Sequence, residues 1–202
     1  MRATWIVASL LAACGGQIDA GGDDTGPGPN PKNDAPNGTP DGEIPGGVGE
    51  PANLTGITLF HNQVRAAVQT TTPLPFLTWN DDLAATAAAW AAQCQDQDQP
   101  IGLIDHNAGR SNGHPYYVGE NIYGSGGGAD AQQAVDLWAS EGANYNYANN
   151  SCSGGTCGHY TQLVWRATLE LGCAVGNCPG MQFGNSIVCD YGPGGNSGGK
   201  PY

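Results

Sequence analysis

Apolar side chains recur with a regular period only from Leu54 onward. Ile57, His61, Val64 and Val68 fall at i, i+4, i+7 and i+11, one face of a first helix. A second helix is predicted from about Asn80, a good N-cap, with Leu83, Ala87, Trp90 and Cys94 on one stripe among many alanines. Tyr117 to Tyr123 alternates as a strand. A third helix opens at Asp130, carries Ala134, Trp138 and Glu141 on one face, and has Gly142 placed to end it. After a polar loop comes the run His159 to Trp165, then two predicted strands over Leu171 to Asn177 and Gln182 to Tyr191. Helices and strands in this number predict a mixed, layered domain over residues 54–202.

The chain before that domain has a different character. Residues 1–14 carry one Arg and an apolar stretch from Trp5 to Ala13, too short for a membrane span, and read as a signal peptide. Leu11-Ala12-Ala13-Cys14 resembles a bacterial lipobox, so Cys14 is the expected lipidation site and mature N-terminus. Residues 15–53 are dominated by Gly, Pro, Asp, Asn and Thr and cannot bury enough apolar surface to offset their ordering entropy. They are expected to form an acidic tether with a reach on the order of 35 Å.

Charge and cysteine content narrow the function classes. A net charge of -12, with 6 Lys plus Arg against 18 Asp plus Glu, leaves little to neutralise phosphates and excludes nucleic acid as a natural partner. Membrane attachment then needs the N-terminal lipid rather than a basic patch. With Cys14 set aside, the 7 cysteines leave Cys94, Cys152, Cys157, Cys173, Cys178 and Cys189, an even set that implies disulfides in an exported chain. The spacing of Cys152/Cys157 and Cys173/Cys178 also suits zinc knuckles, but zinc needs thiolates that an oxidising compartment removes.

Two carboxylates stand on faces where periodicity points them toward protein. Glu120 shares a strand face with Val118 and Ile122, and Glu141 shares a helix face with Ala134 and Trp138. Each needs a cation, a histidine or hydrogen-bond donors, and Glu141 lies at a helix C-terminal end where the macrodipole disfavours negative charge. The available partners are His61, His106, His114, His159, Arg65, Arg110, Arg166 and Lys200. His61 lies on the apolar stripe of the first helix and reads as a core histidine.

The run Gly158-His159-Tyr160-Thr161-Gln162-Leu163-Val164-Trp165-Arg166-Ala167-Thr168 resembles the first signature of the CAP superfamily: cysteine-rich secretory proteins, antigen 5 and pathogenesis-related class 1 proteins. The resemblance extends through His61-Asn62 with Arg65, Trp79-Asn80, Gly119-Glu120-Asn121, Trp138 with Ser140-Glu141, and Cys173 after Leu171-Gly172. Cys189 to Asn196 is similar to the second signature, except that Asp190 stands where the family usually has Asn and Ser197 where it prefers a larger residue. The resemblance implies a three-layer α/β/α sandwich with a shallow cleft, holding a tetrad of His106, Glu120, Glu141 and His159, with His114 the alternative to His106. It implies that His106 and His159 can take a divalent metal, zinc first, and that the disulfides pair Cys94 with Cys178, Cys152 with Cys157 and Cys173 with Cys189.

The expected function is a non-enzymatic, monomeric binding module, extracellular or anchored at the outer membrane. The resemblance implies a lipid- or sterol-like ligand, and the loop after Glu141, with Tyr145 and Tyr147, resembles the aromatic loop tied to sterol binding in fungal members, although aromatics in a Gly/Asn-rich loop are equally ordinary surface packing. The alternatives are a metal-dependent protease using the tetrad, which the separation of His106 from His159 and the lack of a third strong ligand disfavour, and a structural or adhesive envelope module.

Overall fold

A computed structural model describes residues 43–99 and 101–202. The export segment over 1–14, Cys14 and most of the tether therefore lie outside the described residues. The end of the expected tether does not stand clear of the domain. The Pro45 carbonyl accepts from Asn62 Nδ2 at 2.9 Å, and Glu50 accepts from the Gly56 and Thr58 amides at 2.7 and 2.8 Å. Glu50 thereby serves the first turn of a helix whose own preceding residue is glycine and offers no side-chain cap.

The elements follow as α1 (Ile57–Ala67), β1 (Thr78–Trp79), α2 (Asp81–Ala91), β2 (Gly119–Ser125), α3 (Ala131–Ser140), β3 (Tyr145–Asn146), β4 (Ser151–Cys152), α4 (Gly158–Leu163), β5 (Glu170–Asn177) and β6 (Asn185–Gly192). The predicted cap at Asn80 forms, and Asp130, where the third helix was expected to open, caps it. Asn80 Oδ1 accepts from the Asp82 and Leu83 amides at 2.9 and 3.0 Å, and Asp130 Oδ1 from the Gln133 amide at 2.8 Å. α2 ends at Ala91, before Cys94, which sits at φ 50° outside the helix.

The main sheet runs β1-β5-β6-β2, with β1 parallel to β5 and the other pairs antiparallel, while β3 and β4 form a separate hairpin. Strand parity separates two cores. Tyr123, Leu171, Cys173, Ile187, Cys189 and Tyr191 pack with α1, α3 and α4 residues such as Ile57, Trp138 and Leu163. Ile122, Ala174 and Val188 face the other way and pack on Ala87 and Ala91 of α2. The result is the three-layer α/β/α sandwich. Because both sheet faces are covered, β2 is buried at every position from Gly119 to Tyr123 instead of alternating.

α2 lies close enough on β5 that glycine is required beneath it. A Cβ at Gly172 would stand 2.1 Å from the Ala84 amide nitrogen.

The buried face of α1 differs from the expected stripe. Asn62 and Arg65 are buried, whereas Val64 and Val68 are only partly covered. Arg65 donates to the carbonyls of Pro75, Leu163, Trp165 and Thr168, and Asn62 to those of Pro45 and Leu77. These turns expose carbonyls that no ladder satisfies, and two long polar side chains meet that need better than valine.

All three disulfides form as Cys94–Cys178, Cys152–Cys157 and Cys173–Cys189. No helix among the described residues is long and apolar enough to cross a membrane.

Candidate functional site

β2 is the edge strand of the main sheet, and its parity sends Glu120 toward the α2 layer and Asn121 toward α4. Glu120 Oε1 accepts from His106 Nδ1 at 2.6 Å and from the Asn107 amide at 2.9 Å. Its side chain is 0% exposed while that of His106 is 58% exposed, so the carboxylate is interior and the imidazole stands at the surface. His114 is not part of this pair; its Nε2 meets Thr86 Oγ1 at 3.0 Å, and its ring stacks on Tyr116.

On the opposite side of β2, Glu141 Oε1 accepts from His159 Nδ1 at 2.6 Å and from Thr156 Oγ1 at 3.0 Å. Its other oxygen accepts from the amides of His159 and Tyr160 at 3.0 and 3.3 Å. The macrodipole expectation is corrected here. Glu141 follows the C-terminus of α3, but its carboxylate reaches the first-turn amides of α4, a helix whose preceding residue gives no side-chain cap. Burial alone would raise the Glu141 carboxyl; the His159 hydrogen bond and charge, with Thr156 and the Tyr160 amide, outweigh it and hold the group below its ordinary range.

In both pairs the carboxylate receives Nδ1–H, which leaves the lone pair of the neutral ring on Nε2, and neither Nε2 has a partner among the described residues. This is the arrangement in which a carboxylate orients an imidazole for an outside ligand. Among the described residues, no group of three or more His, Cys, Asp and Glu side chains is gathered to hold a metal ion. The site is thus two oriented imidazoles, each with its own carboxylate, flanking one strand.

Asn121 connects the strand to the second pair. Its Nδ2 donates to the His159 carbonyl at 3.1 Å and to Tyr191 Oη at 3.1 Å. Tyr191 Oη meets His61 Nε2 at 2.8 Å, and His61 Nδ1 meets the Ile57 carbonyl at 2.7 Å. Only one set of protons satisfies this chain: Nδ1–H donates to the carbonyl, and the phenol donates to Nε2 while accepting from Asn121. His61 is therefore a core histidine that braces the site from behind.

Sequence reasoning met Asn121, Asp190 and Tyr191 only as positions in motifs or strands and gave them no place in the site. The register places Asp190 directly across from Glu120 on the same sheet face, and two-residue parity in the final strand was the signal that could have found it.

Tyr145 and Tyr147 enter different surroundings. Tyr145 lines a cavity of about 290 Å³ beside Trp165 and the Cys152–Cys157 bridge, where the amides of Asn150 and Asn196 are already bonded within the protein. Tyr147 lines a second cavity, of about 370 Å³, with Arg166 and Tyr202.

Residues 59–191 match the model of the cysteine-rich secretory protein family, CAP. The chain belongs to the CAP family. This CAP chain is 41% identical over 136 residues to pathogenesis-related protein 1 of Arabidopsis thaliana, covering 67% of the chain and 73% of that relative. Among solved structures, it superposes on Schistosoma mansoni venom allergen-like protein 4 with a TM-score of 0.57 at 29% identity, covering 76% of this chain and 95% of that one. It superposes on NaASP2 with Zn2+ with a TM-score of 0.52 at 28% identity, covering 72% of this chain and 81% of that one.

Proposed function

We propose that this CAP chain is an exported, monomeric binding module that presents His106, His159 and the loop carrying Tyr145 and Tyr147 to a small lipid- or sterol-like ligand. The observation that carries this reading is the state of the two carboxylates. Glu120 Oε1 is held by His106 and Asn107, and Glu141 is held by His159, Thr156 and two amides. A metal-dependent protease needs a carboxylate free to take a proton from bound water; both oxygens of Glu141 are committed, and Glu120, whose other oxygen is unpartnered among the described residues, has a side chain shut off from solvent. A Cys nucleophile is also missing among the described residues, since all six domain cysteines are in disulfides.

The chemistry of two imidazole nitrogens unpartnered among the described residues suits a divalent ion, zinc first, and Nε2 of His106 and Nε2 of His159 would be its protein ligands, with water in the remaining positions. When bound, the ion would supply a positive anchor for a polar headgroup. The zinc in NaASP2 is in keeping with this. The three disulfides and the -12 charge favour an extracellular or envelope location, with Cys14 as the lipidated residue, residues 15–53 as tether and no nucleic-acid partner.

Native mass spectrometry of protein recovered from the producing cell's envelope tests both parts. The reading expects a diacylglyceryl mass on a chain that begins at Cys14, and a second, non-covalent lipid mass. A protein that is bare of ligand, and that takes up no cholesterol or phospholipid from vesicles, contradicts the binding module. An unmodified N-terminus contradicts the anchor.

A further inference from the structure

Four basic side chains serve the described residues: Arg65, Arg110, Arg166 and Lys200. Arg65 is buried on four carbonyls, and Arg110 is spent on the Val118 and Asn107 carbonyls and Tyr117. The other two lie at one place. Arg166 lines the cavity of about 370 Å³ together with Gln69, Thr70, Thr71, Tyr147 and Tyr202. Lys200 Nζ lies 4.4 Å from the centre of the Tyr147 ring. Lys200 Nζ also donates to the Ala148 carbonyl at 3.2 Å, so in a chain of net charge -12 two cations lie close together, and among the described residues no Asp or Glu side chain lines the cavity.

The guanidinium is fixed rather than mobile. Its two terminal nitrogens donate to the Pro73 and Thr72 carbonyls at 3.0 and 2.7 Å, and the Arg166 amide donates to the Pro201 carbonyl at 2.7 Å. A guanidinium has about five donors, so Nε–H and one hydrogen on each terminal nitrogen are left without partners among the described residues. Beside it, the rings of Tyr147 and Tyr202 stack with centroids 4.7 Å apart and planes within 5°, and Tyr147 Oη donates to the Tyr202 carbonyl, which locks the pair. A flat aromatic wall, a pre-oriented planar cation and hydroxyl-bearing threonines are complementary to a planar ring that carries an anionic group.

We infer that the cavity between Arg166 and the Tyr147–Tyr202 stack binds a small planar aromatic carboxylate. The carboxylate takes the free guanidinium hydrogens, with Lys200 adding attraction, and the ring lies against the tyrosines. None of the residues of the two His–Glu pairs lines this cavity, which shares Tyr147 alone with the function proposed above.

Isothermal titration of the intact chain with sodium naphthalene-2-carboxylate at low salt tests it. One saturable site is expected, with naphthalene-2-carboxamide about tenfold weaker because it lacks the charge. Arg166→Gln is expected to weaken the acid about tenfold and leave the amide unchanged, whereas Tyr202→Leu weakens both. Arg166 also holds the Thr72 and Pro73 carbonyls, so Lys200→Gln, at an exposed position, provides a second variant expected to weaken the acid about threefold. The His106→Ala, His159→Ala double variant is expected to bind the acid as the parent does, which separates this cavity from the site proposed above. No binding by the parent, equal affinity for acid and amide, or undiminished acid binding by both Lys200→Gln and a folded Arg166→Gln overturns the inference.

Discussion

Asp190 faces Glu120 across the β2–β6 pair, fully buried, with no donor to either oxygen among the described residues, and Glu120 Oε2 is in the same condition. Two carboxyls so placed can be joined only by a proton. Burial first and the Glu120 charge second push Asp190 up to about 8, with Arg110 offsetting part of the rise. An acid whose folded value is raised contributes stability that is present below its unfolded value and lost as pH climbs through the folded one. The loss here falls between about 4 and about 8. His61 works in the opposite direction. Burial first, the Ile57 carbonyl partly countering it and Arg65 adding to it, lowers His61 to about 4, so its contribution is lost as pH falls from 6.5 toward that value. Asp190→Asn replaces the proton with an amide donor for Glu120. It is expected to raise stability at pH 8 by about 1–3 kcal/mol in urea unfolding, and to leave a curve that rises between pH 4 and 6.5 and then levels. A variant no more stable than its parent at pH 8 contradicts this account of the pair.

The α2–β5 contact shows how closely an element's seat is specified. Gly172→Ala would drive a Cβ onto the Ala84 nitrogen at 2.1 Å and the Asn80 carbonyl oxygen at 2.6 Å, backbone atoms that cannot rotate away. An overpacked seam of this kind is expected to cost about 2–4 kcal/mol, read as a lower midpoint in thermal unfolding, and an unchanged midpoint would show that the layer can shift. Elements of this length were legible in the sequence when a cap stood before a periodic run, as Asn80 does for α2 and Asp130 for α3. β1, β3 and β4 were not, because two residues carry no period. α4 was not, because it has six residues and Cys157 gives it no side-chain cap. The cap it does have, Glu141, comes from another element, and the same remoteness made the charge at the end of α3 look unsupported.

At the scale of the whole molecule, the sequence carried the layered fold and the family, because these rest on periodic runs and motifs contiguous in the chain, whereas the pairing of cysteines came only through the family resemblance. Periodicity singled out the two carboxylates, on faces that had to be buried, while the choice of His106 and His159 as their partners came from the family resemblance. What it could not carry were relations set by the sandwich itself: Asp190 opposite Glu120, Asn121 bridging to His159, and the assembly of Arg166, Tyr147 and Tyr202 from three separate stretches. The pairs flank one edge strand, and Asn121, next to Glu120, holds the backbone of His159. On this account they act as one site. Calorimetric titration of the intact chain with zinc tests that most directly. The account predicts one saturable binding event that His106→Ala alone removes, that His159→Ala alone also removes, and that Glu141→Gln weakens by about tenfold or more. Zinc binding of parental strength in either single histidine variant would contradict it.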